Sequence, residues 1–424
     1  MSKLLDGLNP PQKEAVLTSS GPLLVLAGAG TGKTRVVTFR IARLIAGARS
    51  QPKIKPERIL AVTFTNKAAN EMQERVRGLM RKRTKEEPEI STFHSLCVRI
   101  LRRNIEHLGY PPKFSIYAAG QQESLARKVL REVSVSSAAL KPSELMYRIS
   151  QWKSRGLSPE QAASVCETDK DHLAAMAYRR YQSDIRARGA VDFDDLLLCT
   201  EQLFREFPEV RRAEAGRFDH ILVDEYQDTN ECQYQIVRAL AAGHRNLCVV
   251  GDDDQSIYSW RGAEVEHILK FASDWPEAKV VRLEDNYRST EAILSFANRL
   301  IKFNKVRHDK VLRAARPNGD RPMMYVYKDE EEEAEQVVGA IRSQVAHPDA
   351  EYRDFAILFR TNEQPRAFES ELRKHKVPYV LIGGMSFFDR REVRDTMAYM
   401  RLLDNPQEEV SLLRVLNTPP RGIG

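Results

Sequence analysis

Short apolar runs alternate with longer stretches of helical periodicity along most of the chain. The runs Leu23 to Leu26, Ile59 to Phe64, Ile221 to Val223, Leu247 to Val250 and Lys279 to Leu283 are rich in Val, Ile or Leu and bounded by turn or charged residues. Strands apolar at consecutive positions must be covered on both faces, so the runs predict a doubly wound parallel sheet flanked by helices. Between about Leu108 and Val191 the pattern becomes helical, as in Gln121 to Val133 and Ala174 to Arg188, which predicts an all-helical insertion. Strand candidates return at Met323 to Tyr327, Phe355 to Phe359 and Tyr379 to Ile382, so a second α/β unit is expected from about Leu283. The pattern turns helical again near Ser386 and reaches Arg421-Gly422-Ile423-Gly424 without a closing element, so this second unit is expected to be incomplete. The acidic run Asp329 to Glu333 reads as the start of a helix with Val337, Val338 and Ile341 on its apolar face, because carboxylates complement a helix N-terminus.

With 424 residues the chain has material for about three domains. A hydrophobic content of 42% beside 29% charged residues describes a soluble globular protein, and no apolar run approaches the ~20 residues of a membrane span. Cys97, Cys166, Cys199, Cys232 and Cys248 are odd in number, widely spaced and without a Cys-x-x-Cys pair, which argues against a disulfide framework or a zinc knuckle. The polar Met1-Ser2-Lys3 start is no secretion signal, and a reducing cytoplasm is the expected home. The net charge of +7 favours a polyanionic partner only weakly.

The sharpest chemical signal is Ala27-Gly28-Ala29-Gly30-Thr31-Gly32-Lys33-Thr34, placed after a strand and before a helix that begins Arg35-Val36-Val37. Glycines allow consecutive backbone N–H groups to curl around a phosphate, Lys33 supplies positive charge to the β- and γ-phosphates, and the Thr34 hydroxyl can ligate Mg²⁺. Ala27 stands where the strict pattern has Gly, a position that needs only a small residue. A second strand ends in Asp224-Glu225, where Asp224 would hold the Mg²⁺ shell and Glu225 would deprotonate an attacking water. The next strand ends at Gly251-Asp252-Asp253-Asp254-Gln255, with Gln255 placed to sense the γ-phosphate. The pattern is that of a P-loop nucleotide site with a place for Mg²⁺.

At this point the sequence resembles the superfamily-1 DNA helicases of the UvrD/Rep/PcrA type, through an ordered series of motifs from Leu8 to Gly424. The series opens with Leu8-Asn9-Pro10-Pro11-Gln12, continues through Thr63 to Ala69, Ser91 to Ser95 and Asp192 to Leu196, and then takes in the two carboxylate-bearing strand ends, the latter extending to Gly262. Asn286 to Ser289, Phe359 to Asn362 and Gly383 to Phe388 complete it, the last resembling the hinge into a second insertion. The resemblance implies that Gln12 reads adenine, that Tyr287 stacks on it and that Arg288 reaches the γ-phosphate as an arginine finger. It implies that Ala27 to Arg35 bind nucleotide and that Phe64, Asn66, Thr92, His94, Phe193, Tyr258, Trp260, Arg360 and Asn362 contact DNA. It implies two RecA-like domains: the first at 1–107 and 192–282 with its helical insertion at 108–191, the opening of the second at 283–385, and the start of a second insertion at 386–424. The implied function is an ATP-dependent helicase or translocase moving 3′ to 5′ on single-stranded DNA and at single-strand/duplex junctions, beside repair or replication proteins. The family's remaining motifs would lie beyond Gly424, so the chain is expected to be its N-terminal portion. A non-motor module binding ATP and single strands, or the helicase part of a helicase-nuclease, are the alternatives.

Rings at strand ends and in loops suit a machine that must accept any base, because stacking reads a π-face rather than an edge. For Phe64, His94, Tyr258 and Trp260 the competing reading is burial in the core. The basic residues Arg75, Arg77, Arg81, Lys82, Arg83, Arg99, Arg102 and Arg103 are candidates for phosphate contact, or else a solvated helix face.

Overall fold

The computed structural model describes residues 5–47, 52–80, 86–136, 138–316, 318–361, 363–382, 391–406 and 408–422. Consecutive apolar residues produce β1 (Leu23–Ala27) and β2 (Ile59–Thr63), followed by β3 (Glu89–Thr92), β4 (Ser115–Tyr117), β5 (Ala190–Asp192), β6 (His220–Val223), β7 (Leu247–Gly251) and β8 (Lys279–Leu283). Six of these form one parallel sheet in the order β3-β2-β6-β7-β1-β8. Side chains alternate between its faces with the period of two that strand geometry imposes. Leu24, Leu26, Leu60, Val62, Ile221, Val223, Leu247 and Val249 pack on one side with Phe93, Ile100 and Phe204. Leu23, Val25, Ile59, Ala61, Leu222, Cys248 and Val250 pack on the other with Val37, Ile41 and Val76. The expected doubly wound sheet is therefore present. Sequence pattern missed β3, an edge strand whose Glu89-Ile90-Ser91-Thr92 has one apolar residue. After β8, β9 (Asp285–Thr290) pairs in parallel with β10 (Arg313–Arg316), linked through the helix Glu291–Ile301.

The chain divides into two compact units, Met1–Pro322 and Met323–Gly424. In the second unit the helices Glu330–Val345 and Pro365–Lys374 pack around Val338, Leu372 and Val377. Asp329 caps the first of them by accepting from the Glu332 N–H at 2.9 Å, and Val337 and Ile341 are half-buried beside it, as the acidic run predicts. The helices Arg391–Asp404 and Glu409–Val415 are joined by Arg414 to Asp395 at 2.7 Å. The strands expected at 323–327, 355–359 and 379–382 are not formed. A ladder needs a neighbouring edge, none of these segments pairs with another, and Met324, Val326, Leu358, Val380 and Ile382 remain exposed. The motif Gly383 to Phe388 lies outside the described residues. Among the described residues no helix is long and apolar enough to cross a membrane.

The stretch between Leu108 and Val191 has its own core, built from Leu125, Val129, Leu145, Ile149, Trp152, Tyr178, Tyr181 and Ile185. It is not wholly helical. β4 and β5 pair in parallel, Ser115 opposite Ala190 and Tyr117 opposite Asp192, where the chain enters and leaves the helices. Three-residue strands are too short to give a period, which is why the sequence pattern hides them. The return point is fixed by charge. Lys153 has a side chain 0% exposed and places Nζ 2.6 Å from Asp192 and 2.7 Å from Asp195. Asp192 and Asp195 also cap one another, each backbone N–H donating to the other's carboxylate at 3.0 and 2.8 Å. Breaking a buried pair from one side leaves uncompensated charge, so Lys153→Met is expected to lower unfolding free energy by about 3–5 kcal/mol. Urea denaturation of the purified variant checks this, and a loss under about 1 kcal/mol would contradict the bracing role.

Candidate functional site

A sheet buried on both faces leaves its strand ends as the place for polar chemistry, and here the carboxyl ends of β1, β6 and β7 converge. The loop after β1 turns through Gly30 and Gly32 at φ +69° and +91°. Within it the Thr31 hydroxyl donates to the Gly28 carbonyl at 2.7 Å. Gly30 is required twice over. Its φ favours glycine, and a Cβ there would stand 2.7 Å from both Arg288 Cβ and Asn286 Nδ2. The Asn286 amide donates to the Ala29 carbonyl and the Tyr287 N–H to the Gly30 carbonyl, so β9 lies directly against the loop. Leu312 lies over Gly28. The helix Lys33–Ala46 starts from Gly32 with no side-chain cap, which leaves its first N–H groups directed at the loop. Thr34 is half-buried near its start, and Arg35 is exposed with its guanidinium 5.4 Å from the Phe39 ring.

Gln12 is buried and belongs to a capping box. Its backbone N–H donates to Asn9 Oδ1 at 2.9 Å, and its side-chain oxygen accepts from the Asn9 N–H at 3.1 Å. Its Nε2 donates to the Thr31 carbonyl at 2.9 Å, tying the N-terminal segment to the phosphate loop. Asn9 Nδ2 reaches the Tyr287 hydroxyl at 2.9 Å, so Gln12, Thr31 and Tyr287 are brought into one neighbourhood.

Lys33 Nζ lies 2.7 Å from Glu225 Oε2, across the intervening strand β7. Glu225 adopts a left-handed backbone, φ +51°, a conformation that costs a non-glycine residue about 1–3 kcal/mol and recurs at functional sites. Gln227 bridges the two carboxylate-bearing strand ends: its Nε2 donates to Glu225 at 3.0 Å and its Oε1 accepts from the Asp252 N–H at 2.9 Å. Gln255 donates to the Asp252 carboxylate. Burial, and then the charge of Glu225, push the Asp224 carboxyl up to about 6, and the same causes act on Asp228. Arg288 is exposed beside Gly30.

Three residues that sequence reasoning missed complete this edge. Lys310 Nζ sits 2.9, 2.7 and 2.8 Å from Asp252, Asp253 and Asp254, and Arg307 holds Asp254 through two bonds of 2.8 and 2.7 Å. The His308 N–H donates to Asp253 at 2.7 Å. Burial works against the Asp253 charge, but its bonds to His308 and Lys310 outweigh it and hold the carboxyl well below its usual range. No local pattern marks these residues, since their partners lie more than fifty positions earlier.

Tyr258 and Trp260 follow β7 and Phe64 follows β2, whereas His94 opens the helix Phe93–Asn104 and Phe193 follows β5. Trp260 is 47% exposed and Tyr258 39%, with ring centroids 6.3 Å apart, and Arg261 stands 4.6 and 5.6 Å from the two rings. Neither is a core anchor. Phe193 is 51% exposed and stacks on half-buried His94 at 4.0 Å; burial pushes the His94 imidazole down to about 4. Phe64 is half-buried with its ring edge-to-face with Phe93, so it also serves the core. Thr92 is buried and caps the helix Phe93–Asn104 by accepting from the Ser95 N–H, whereas Asn66 is exposed at the start of the helix Asn66–Leu79. Arg360 belongs to the second unit, where it is exposed, and Asn362 lies outside the described residues. The basic cluster is largely spent on ion pairs: Arg75 with Glu71, Arg77 with Glu87, Arg99 with Glu89 and Arg103 with Glu214. Arg102 lies over the Phe114 ring, and Arg81, Lys82 and Arg83 are outside the described residues.

Residues 8–276 match the UvrD/REP helicase N-terminal domain, and residues 281–424 match the UvrD-like helicase C-terminal domain. The ATP-dependent DNA helicase PcrA of Staphylococcus aureus is 43% identical over 424 residues, covering 100% of this chain and 57% of that protein. PcrA of Staphylococcus epidermidis is likewise 43% identical, over 427 residues, with the same coverage. The chain thus spans less than two thirds of the length of these relatives.

The raised Asp224 carboxyl gives a stability test with a defined sign. A folded value near 6 against an ordinary value of 3.8 means that the folded state holds the proton more tightly, so stability falls as pH rises through that interval. Without nucleotide or Mg²⁺, Asp224→Asn is expected to melt at a higher temperature than wild type at pH 8, with the advantage vanishing below about pH 4. Melting curves at both pH values check this, and an equal advantage at both would contradict it.

Proposed function

Because this chain belongs to the UvrD/Rep family of helicases, we propose that it carries the ATP-hydrolysing and single-strand-gripping parts of a DNA-translocating motor. The observation that bears most weight is the meeting of Lys33, Glu225 and the Gly30–Arg288 contact at one sheet edge, with exposed rings in neighbouring loops. In this reading the loop Ala27–Thr34 cradles the phosphates through its backbone N–H groups, and Lys33 neutralises the β- and γ-oxygens. Buried Asp224 and the Thr34 hydroxyl offer the hard oxygen donors that Mg²⁺ takes, and that ion when bound would offset phosphate charge. Glu225 accepts a proton from the water that attacks the γ-phosphorus, Gln255 senses the γ-phosphate, and Arg288 stabilises the charge that develops there. Gln12 and Tyr287 hold adenine. Phe64, Asn66, Thr92, His94, Phe193, Tyr258, Trp260, Arg360 and Asn362 form the DNA-contacting set.

We read residues 1–107 with 192–282 as the first motor domain, 108–191 as its insertion, 283–385 as the opening of the second motor domain and 386–424 as the start of a second insertion. A change in how the β9 segment meets the phosphate loop would link hydrolysis to movement along a strand, 3′ to 5′ by family resemblance, with single-strand/duplex junctions as substrate.

Two measurements test the reading. Lys33→Ala is expected to weaken binding of a fluorescent ATP analogue, whereas Glu225→Gln retains binding and loses turnover; unchanged affinity and turnover in both would refute the site. Trp260→Ala is expected to weaken single-strand affinity by about 1–3 kcal/mol with little base preference. Fluorescence anisotropy with oligonucleotides of several compositions reads this out, and equal affinities would remove Trp260 from the strand-binding face.

A further inference from the structure

Behind the two loops just described lies a cluster that neither nucleotide nor DNA chemistry uses. Thr229 and Glu231 follow the Asp224-Glu225 strand end, and Glu264 and His267 follow the Tyr258-Trp260 loop. His267 is 4% exposed, with Tyr234 stacked on it at 4.3 Å and 3°. Its Nδ1 faces the Thr229 carbonyl at 3.1 Å and the Thr229 hydroxyl at 3.2 Å. The carbonyl can only accept, and the hydroxyl donates its own proton to the Tyr226 carbonyl at 2.8 Å. Both partners therefore accept, and Nδ1 must carry the ring hydrogen.

In the neutral ring that assignment turns the Nε2 lone pair toward Glu231 Oε2 at 3.2 Å and Glu264 Oε2 at 3.7 Å, atoms that also only accept. The three ligand atoms lie within 4.8 Å of one another, so a buried imidazole is aimed at two carboxylates with no donor between them. The group calls for a positive centre. A proton on Nε2 would serve one or two of these atoms, whereas a cation placed among them serves all three. Metal–ligand bonds near 2.0–2.1 Å in a tetrahedron give ligand separations of about 3.3 Å, close to both measured edges. An imidazole whose other nitrogen donates to a backbone carbonyl is also how metal-bound histidines are oriented. One nitrogen and two carboxylate oxygens suit zinc better than magnesium, which prefers oxygen alone.

We propose that Glu231, Glu264 and His267 form a binding site for one divalent transition-metal ion of the zinc class. Such an ion staples the segment after the aromatic loop to the segment after Glu225, two stretches already joined by the Glu264 N–H donating to the Thr229 carbonyl at 3.0 Å.

The test uses the 424-residue chain in excess Mg²⁺, with Co²⁺ as a coloured substitute for Zn²⁺. One equivalent of Co²⁺ is expected to produce visible ligand-field absorption that Zn²⁺ abolishes, and His267→Gln is expected to lack it. Glu264→Gln alters a half-exposed side chain outside the nucleotide and DNA sets; it is expected to melt like wild type without added transition metal and to bind Co²⁺ at least about tenfold more weakly. No absorption in wild type, the same absorption in His267→Gln, or undiminished affinity in Glu264→Gln would each overturn the site.

Discussion

A parallel sheet covered on both faces can place polar groups almost only where its strands end, and the rest of this structure follows from that restriction. Alternate residues of β1, β2, β6 and β7 are committed to one apolar layer or the other. The residues immediately after them must carry the turns, the charges and the chemistry. Lys33, Asp224, Glu225, Asp252 and Gln255 meet because the strand order brings their strand ends side by side, although more than two hundred residues separate the first from the last. The same crowding explains Gly30: the loop must turn sharply and leave room for Asn286 and Arg288 at once.

Buried carboxylates are treated in two ways. Lys153 braces Asp192 and Asp195, and Lys310 with Arg307 braces Asp252, Asp253 and Asp254. In each case a cation from a distant stretch of chain holds consecutive or nearly consecutive carboxylates, fixing the loop from which Phe193 or the Tyr258-Trp260 pair projects. Asp224 is treated differently. It is buried beside another carboxylate, and no described ion pair holds it, so its carboxyl rises into the range where proton and cation compete. Burial raises the Asp195 carboxyl to about 6 as well, so what sets Asp224 apart among the described residues is the lack of a cation brace and not the raised carboxyl alone.

Legibility in the sequence followed the range of the interaction. The phosphate loop, the Asp224-Glu225 pair and five strands of the main sheet were readable because each is encoded within a few consecutive residues. β3, β4 and β5 were not, being three or four residues long and partly polar. The Lys310 and Lys153 braces were invisible for another reason: a lysine paired across 39 or 57 positions looks like any surface lysine until the fold closes. Met323 to Tyr327, Phe355 to Phe359 and Tyr379 to Ile382 show the converse, since strand-like composition yields a strand only where an edge is offered. Of the candidate site residues, Gln12 with Thr31 and Lys33 with Glu225 come within hydrogen-bonding reach, whereas Thr92 and Phe64 turn out to have cap and packing duties as well.

On the proposed function, the 2.7 Å contact between Lys33 and Glu225 would set an order of events. One ammonium cannot satisfy a carboxylate and a triphosphate equally, so a phosphate drawn to Lys33 would loosen its hold on Glu225. Glu225 then keeps its bond from Gln227, which also accepts from the Asp252 N–H. The group proposed to take a proton from water would thus be set free by the arrival of the molecule that water would attack. Lys33 would then act as an interlock, in which the fuel itself releases the safety catch.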